Sequence, residues 1–226
     1  MTRIILIETS TALCSAALSE DGRVVRYVES SEPRAHASMA APFVKEVLGD
    51  LRVSDCDAVC VSSGPGSYTG LRVGVSTAKG LCFGAGIPLI SVGTLEALVF
   101  QAISEGLVPE GCPFIVPILD ARRMEVYSAV YTGDGKPVRE VRPEVITAES
   151  FEPERAEGPV LFIGDAADKC RPILGDGTFV QCCPKASALA VPAFKAYKEK
   201  RFEDTAYFEP FYLKEFTATV SRKNLF

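Results

Sequence analysis

Histidine occurs once in the 226 residues, at His36, and the eight cysteines form no CxxC pair. A site built on two imidazoles is thereby excluded, and the ligand spacing of a structural zinc site is missing. The cysteines, at positions 14, 56, 60, 82, 112, 170, 182 and 183, lie mostly inside apolar runs. That placement predicts buried reduced thiols rather than a disulfide framework. Clustered positive charge is lacking too: the net charge is −5 and the 24 lysines and arginines are scattered. The chain therefore has no concentrated basic face with which to grip a nucleic-acid backbone by itself. The first apolar run, Ile4 to Ile7, stops at Glu8. Four residues are too few for a membrane span or a signal-peptide core, so a cytoplasmic chain without membrane contact is expected.

Hydrophobic residues make up 47% and charged residues 23%, enough for one large domain or two small ones with real cores. The most informative stretch is Ser62 to Gly74, SSGPGSYTGLRVG. It follows the apolar run Ala58-Val59-Cys60-Val61 and opens a segment with helical spacing, which predicts a strand, a tight turn and a helix N-terminus. Such a turn points N–H groups outward with the helix dipole behind them, a geometry suited to an anion or to a closely approaching backbone. Three commoner glycine loops are excluded by counting. The dinucleotide fingerprint needs glycine where Thr69 stands, the Walker loop needs Lys-Ser/Thr where Leu71-Arg72 follow Gly70, and the nucleophile elbow needs serine at Tyr68.

Along the first half the pattern predicts a strand over 3–8, a hairpin over 15–18 and 23–28 and a helix over 36–51. A strand at 58, a helix over 69–85, a strand over 88–92 and a helix capped by Thr94 follow. Glycine and proline between 106 and 113 mark a linker. The opening pattern then returns. Ile4 to Glu8 is matched by Ile115 to Asp120, Ser15 to Leu18 by Ser128 to Tyr131, and Asp21-Gly22 by Asp134-Gly135. A run of small residues, Gly70, Gly74 and Ala78, recurs every four positions and could pack on the chain's own sheet or against another helix. Strands are expected over 159–163 and 179–182, an amphipathic helix over 186–200 and an aromatic-rich tail beyond. Two units over 1–105 and 106–206 result, with a tail over 207–226 packing back on the first.

The duplicated strand–carboxylate–hairpin unit, together with IETSTALCSAAL and SGPGSYTGLRVG, resembles the actin/Hsp70/sugar-kinase superfamily. More narrowly the chain looks like the bacterial TsaB family, also called YeaZ and once labelled glycoprotease-like. The resemblance runs through Pro33 to His36, Leu119 to Tyr127 and Glu209 to Lys214, and so spans nearly the whole chain. It implies an α/β fold of two actin-like (RNase H-like) domains, each a mixed central sheet flanked by helices, the second reduced. It further implies a non-catalytic subunit in the threonylcarbamoylation of the adenosine beside the tRNA anticodon. Such a subunit binds the catalytic subunit TsaD, shares the assembly with a TsaE-like ATPase, forms a homodimer when alone, and meets tRNA only indirectly. The two metal ligands of TsaD fall here on Thr94 and Leu98, so no catalytic residue and no metal site are expected.

The same resemblance makes Glu8, Thr9, Ser10, Thr11 and Asp120 a vestigial nucleotide site, with ATP or ADP and Mg²⁺ as cofactor only at an interface with a partner. The bulky Arg122, Arg123 and Met124 follow the second carboxylate, and Asp165 replaces a glycine that would meet adenosine. For the small-residue strip, it implies that the two helices pair with TsaD or a second copy. The contact residues on that reading are Met39, Phe43, Val47, Ser67, Tyr68, Gly70, Leu71, Arg72, Gly74, Val75 and Ala78. Gly74→Leu should then leave the domain folded and abolish partner binding. Arg72 could equally sit on a solvated face, Glu8 and Asp120 could be plain hydrogen-bonded carboxylates, and His36 is expected to face solvent or cap its helix. The alternative function is an autonomous ATPase or kinase of the superfamily, distinguished by whether the purified chain binds MgATP.

Overall fold

The computed structural model describes residues 1–213; the remainder of the expected tail, 214–226, lies outside them. Strand β1 (Arg3–Glu8) carries four successive apolar side chains, Ile4 to Ile7, that are at most 1% exposed, as a strand covered on both faces must. It pairs antiparallel with β2 (Cys14–Glu20), which turns at Asp21-Gly22, both at positive φ, into β3 (Arg23–Ser30). On its other side β4 (Ala58–Ser62) and β5 (Leu89–Val92) add in parallel, giving the order β3-β2-β1-β4-β5. The second half builds β6 (Phe114–Asp120), β7 (Glu125–Thr132), β8 (Pro137–Val145), β9 (Val160–Gly164) and β10 (Thr178–Gln181). Their order, β8-β7-β6-β9-β10, is the first sheet again.

The helices follow the same plan: α1 (His36–Leu48), α2 (Tyr68–Ala85) and α3 (Thr94–Ser104), then α4 (Glu152–Glu157), α5 (Ala167–Leu174) and α6 (Ala190–Lys198). With six and eight residues, α4 and α5 are short beside the 13 and 18 of α1 and α2, so the second half is the reduced one. Helix α1 ends at Leu48, before the expected residue 51. There Gly49 turns the chain at φ 60° and Arg26 Nη1 donates to the carbonyls of Val47 and Leu48 at 3.3 and 2.7 Å. Gly49 has φ 60° and ψ −115°, a conformation that favours glycine, and a Cβ there would push the Arg26 guanidinium aside. Thr94 is not the cap of α3. Gly93 holds that position, and the Thr94 N–H donates to the Gly64 carbonyl at 2.9 Å while its hydroxyl is buried without a partner.

Each half lends its last helix to the other. Helices α1 and α2 cover the outer face of the first sheet, Val44, Val47, Val75 and Ala78 packing on Ile5, Ile7, Val59 and Val61. Its inner face, with Ile4, Leu6, Ala58 and Ile90, is covered by Leu189, Ala190, Ala193 and Ala196 of the second half. In return Leu95, Leu98, Val99 and Ala102 of α3 pack on Ile115, Leu119, Leu161 and Ile163. Residues 186–198, expected within the second unit, thus lie against the first sheet. Among the described residues no helix is long and apolar enough to cross a membrane.

Helix α3 is tied to the segment that leads into α6, and that segment to β2, by polar groups with little exposure. The Gln101 amide donates to the Cys183 carbonyl at 3.2 Å and accepts from the Lys185 N–H at 3.0 Å, and Ala186 N–H donates to Ser15 Oγ at 2.9 Å. Gln101→Leu leaves both main-chain groups unpaired, a loss of about 2 kcal/mol. In a chain of this size a thermal unfolding scan should find a fall in Tm of roughly 4–8 °C.

Candidate functional site

The two hairpin carboxylates, Glu8 and Asp120, end the equivalent strands β1 and β6. Glu8 is fully buried; its Oε1 accepts the Ser10 N–H at 2.6 Å and its Oε2 has no partner. The hydroxyls of Ser10, Thr11 and Ser62 are buried and unpartnered as well. Burial pushes the Glu8 carboxyl up, and the nearby Ser10 and Ser62 hydroxyls and the Ser10 and Thr9 N–H groups only partly oppose it. His36, expected at the surface or as a cap, is half-buried and braces this hairpin, its Nε2 lying 2.9 Å from the Thr11 carbonyl.

The glycine turn is pressed onto the same hairpin. A Cβ added to Gly66 would stand 2.4 Å from the Ser10 carbonyl oxygen, one on Gly70 2.1 Å from that of Thr9, and one on Gly74 2.3 Å from Thr9 Oγ1. Thr9 Oγ1 donates to the Gly70 carbonyl at 2.8 Å. Three N–H groups of the turn are engaged internally: Ser67 donates to Ser10 O at 2.6 Å, Gly70 to Ser67 Oγ at 3.3 Å and Leu71 to Ser67 O at 2.8 Å. The turn makes the close backbone approach to the first hairpin that such a motif allows. The tail closes the turn from outside. Phe211 N–H donates to the Ser63 carbonyl at 2.7 Å, Lys79 Nζ holds the carbonyls of Ala206 and Phe208 at 3.0 and 3.1 Å, and the Tyr212 ring meets that of Tyr68 at 5.0 Å.

This packing corrects the expected contact surface. Val47, Gly70, Leu71, Gly74, Val75 and Ala78 are buried against the chain's own sheet and hairpin and offer no side chain to a partner. Gly74→Leu would strike Thr9, so it breaks the fold instead of sparing it. Ser67, Tyr68 and Arg72 are exposed, with the Arg72 guanidinium 4.7 Å above the Tyr68 ring, and Met39 and Phe43 are half-buried. The outward face of α2 carries residues that the sequence reading passed over: Ser76, Gly80 and Gly84, spaced by four, with Phe83 88% exposed beside them. A Cβ on Gly80 or Gly84 would meet nothing within 4 Å. Their spacing was the available signal; it was eclipsed by the longer motif in the preceding turn.

At the second hairpin Asp120 Oδ1 accepts the Arg122 N–H at 2.8 Å and Lys169 Nζ at 2.6 Å, while its own N–H donates to Asp165 Oδ1 at 2.8 Å. Partial burial pushes the Asp120 carboxyl up, but Lys169 and the Arg122 N–H outweigh it and hold it below the usual range. Asp165 is raised by burial, with the Asp120 charge adding to the effect. Thr94 and Leu98, the positions on which the resemblance places a relative's metal ligands, are fully buried, Leu98 inside the core between α3 and the second sheet. Among the described residues no group of three His, Cys, Asp or Glu side chains could hold a metal. The eight thiols are free, six of them buried.

A family model described as TsaD, tRNA N6-adenosine threonylcarbamoyltransferase, matches residues 28–216. The chain is 30% identical to the tRNA threonylcarbamoyladenosine biosynthesis protein TsaB of Escherichia coli over 94% of both chains. It is 33% identical to the protein of that name from Bacillus subtilis, over 93% of both. A crystal structure from Pseudomonas aeruginosa, described as similar to peptidase YEAZ, superposes with a TM-score of 0.81 at 25% identity, covering 95% of this chain and all of that one.

Glu8 supplies a test of the first hairpin. A carboxyl raised in the folded state keeps a proton that the unfolded chain releases, so stability falls as pH rises through the glutamate range and stays reduced above it. Glu8→Gln keeps the acceptor for the Ser10 N–H and removes the buried charge. Thermal scans should find the variant more stable than the parent at pH 7–8, with the gain vanishing below about pH 4, where the parent is protonated in both states.

Proposed function

The chain belongs to the TsaB (YeaZ) family, and on that footing we propose that it serves tRNA threonylcarbamoyladenosine biosynthesis as a non-catalytic subunit that docks a TsaD-type catalytic subunit in the cytoplasm. A TsaE-like ATPase joins the same assembly, and in the partner's absence the chain pairs with a second copy of itself. tRNA is met through the partner.

The observation that carries the docking role is the outward face of α2. Glycine inside a helix costs about 1 kcal/mol relative to alanine. Gly80 and Gly84 lie inside α2 where the chain's own packing has no use for them, since a side chain there meets nothing. A second helix laid along Ser76, Gly80 and Gly84 gains the close approach that offsets this cost, with Phe83 as the apolar anchor at its edge. Two shallow grooves mark the outer surfaces of α1 and α2. One is lined by Ala41, Pro42, Lys45, Glu46 and Gly49 of α1 and its cap, the other by Arg52, Val53, Ser54, Gly80, Leu81, Gly84 and Ala85. The exposed Tyr68, Arg72 and Ser67 extend the surface towards the N-terminus of α2, with Met39 and Phe43 at its margin on α1. Since a TsaD family model matches most of the chain, the partner is expected to bring the same two helices, and a pseudo-twofold pairing of like surfaces follows.

Gly80→Arg should fold with a Tm no lower than the parent's, arginine being nearly as good a helix former as alanine, and lower the affinity for a TsaD-type subunit at least tenfold, measured by calorimetry or co-purification. Gly80→Ala should raise stability by about 1 kcal/mol through helix propensity. Undiminished binding by Gly80→Arg removes this face from the interface. In a reconstituted assay the chain alone should leave tRNA unmodified, and modified adenosine should appear only when TsaD- and TsaE-type subunits are added.

A further inference from the structure

The second hairpin already holds a cation. Lys169, near the start of α5, reaches back to the β6–β7 turn, and its Nζ lies 2.6 Å from Asp120 Oδ1, 2.8 Å from the Arg123 carbonyl oxygen and 2.9 Å from that of Glu125. An ammonium has three N–H groups, and each has its own oxygen here. One carboxylate and two main-chain carbonyls are the donor set that hard cations select. The turn so closed carries Arg122 and Arg123 in succession at φ 72° and 52°, a left-handed conformation that side-chain-bearing residues adopt only when their surroundings hold them in it. Its base is tied down separately: Asp165 accepts the Asp120 N–H, and Gln181 bridges the Asp165 carbonyl at 2.7 Å and the Asp168 N–H at 2.8 Å. No such cation reaches the first hairpin, where no ion pair involves Glu8 among the described residues.

We propose that the β6–β7 turn is a cation site whose resident ion is the Lys169 ammonium. The side chain supplies what a free cation would otherwise supply: it neutralises Asp120 and gathers the two carbonyls, so the turn keeps its shape without metal. While the ammonium is in place the oxygens are closed to outside ions; removing it opens them. Lys169 is on this account a positioning residue, and the inference stands apart from the docking role of α2.

The test uses the full chain with Lys169→Ala. Its thermal midpoint should fall and should recover in millimolar ethylammonium chloride, which carries three N–H donors, and not in tetramethylammonium chloride, which has the same charge and none. Calorimetric titration with CaCl₂ should find one site in Lys169→Ala, none in the parent and none in the double variant with Asp120→Asn. An unchanged midpoint, equal recovery in both salts, or no calcium binding by Lys169→Ala overturns the proposal. If that variant does not fold, the parent decides. Its Lys169 ammonium, held by three acceptors, should give a ¹H–¹⁵N correlation in the cold that Asp120→Asn abolishes, and absence of that signal from the parent counts against the proposal as decisively.

Discussion

The contact between the inward face of α2 and the turn that follows β1 sets the rest of the structure. Three glycines, at 66, 70 and 74, let the helix start come so near Thr9 and Ser10 that a methyl group at any of them would overlap an oxygen. Because the approach is that close, the N–H of Ser67 is satisfied by the Ser10 carbonyl. The same contact fixes the rotation of α2 about its axis. With Gly70, Gly74 and Ala78 turned inward, Ser76, Gly80, Phe83 and Gly84 are turned out. One packing contact thus sets which face of α2 is buried and which is exposed.

Duplication gave the chain two copies of one unit, and the copies have since parted. In the first, the hairpin carboxylate is sealed in the interior among hydroxyls that lack partners, a high-cost polar cluster in a low dielectric. In the second, the carboxylate is half-exposed and matched by an ammonium. What keeps the halves together is the exchange of α3 and α6. Each sheet's inner face is covered in large part by the other half's helix, with Ala97 of α3 adding to the cover of the first. The aromatic tail adds a further tie, running from the edge of β5 to the glycine turn through Glu203, Phe208 and Phe211.

Much of the fold could be read from residue order. The apolar tetrad before Glu8, the Asp-Gly turns at 21 and 134 and the recurrence near an offset of 112 announce two copies of one unit, and the sheet orders agree. The errors have physical causes. Residue 51 overran α1 because apolar spacing continues past Gly49, whereas the helix stops where Arg26 reaches its last carbonyls, a contact with a strand 22 residues earlier. Thr94 looked like a cap from its position alone, but the chain leaving β5 gives its N–H to Gly64. A row of small residues says that something comes close without saying what, and at Gly70 and Gly74 it is Thr9 of the chain's own hairpin.

The sequence by itself determined the strand pattern, the recurrence of the opening unit, the single histidine, the lack of a CxxC pair, and the family. These are properties of composition and of neighbours along the chain. Only the tertiary structure decided which face of α2 is spent on Thr9, that residues 186–198 serve the opposite sheet, and that Lys169 fills the oxygens around Asp120, 49 residues away. Each of those depends on how far apart two segments lie in space, and sequence spacing carries no such distance once the chain has turned back on itself.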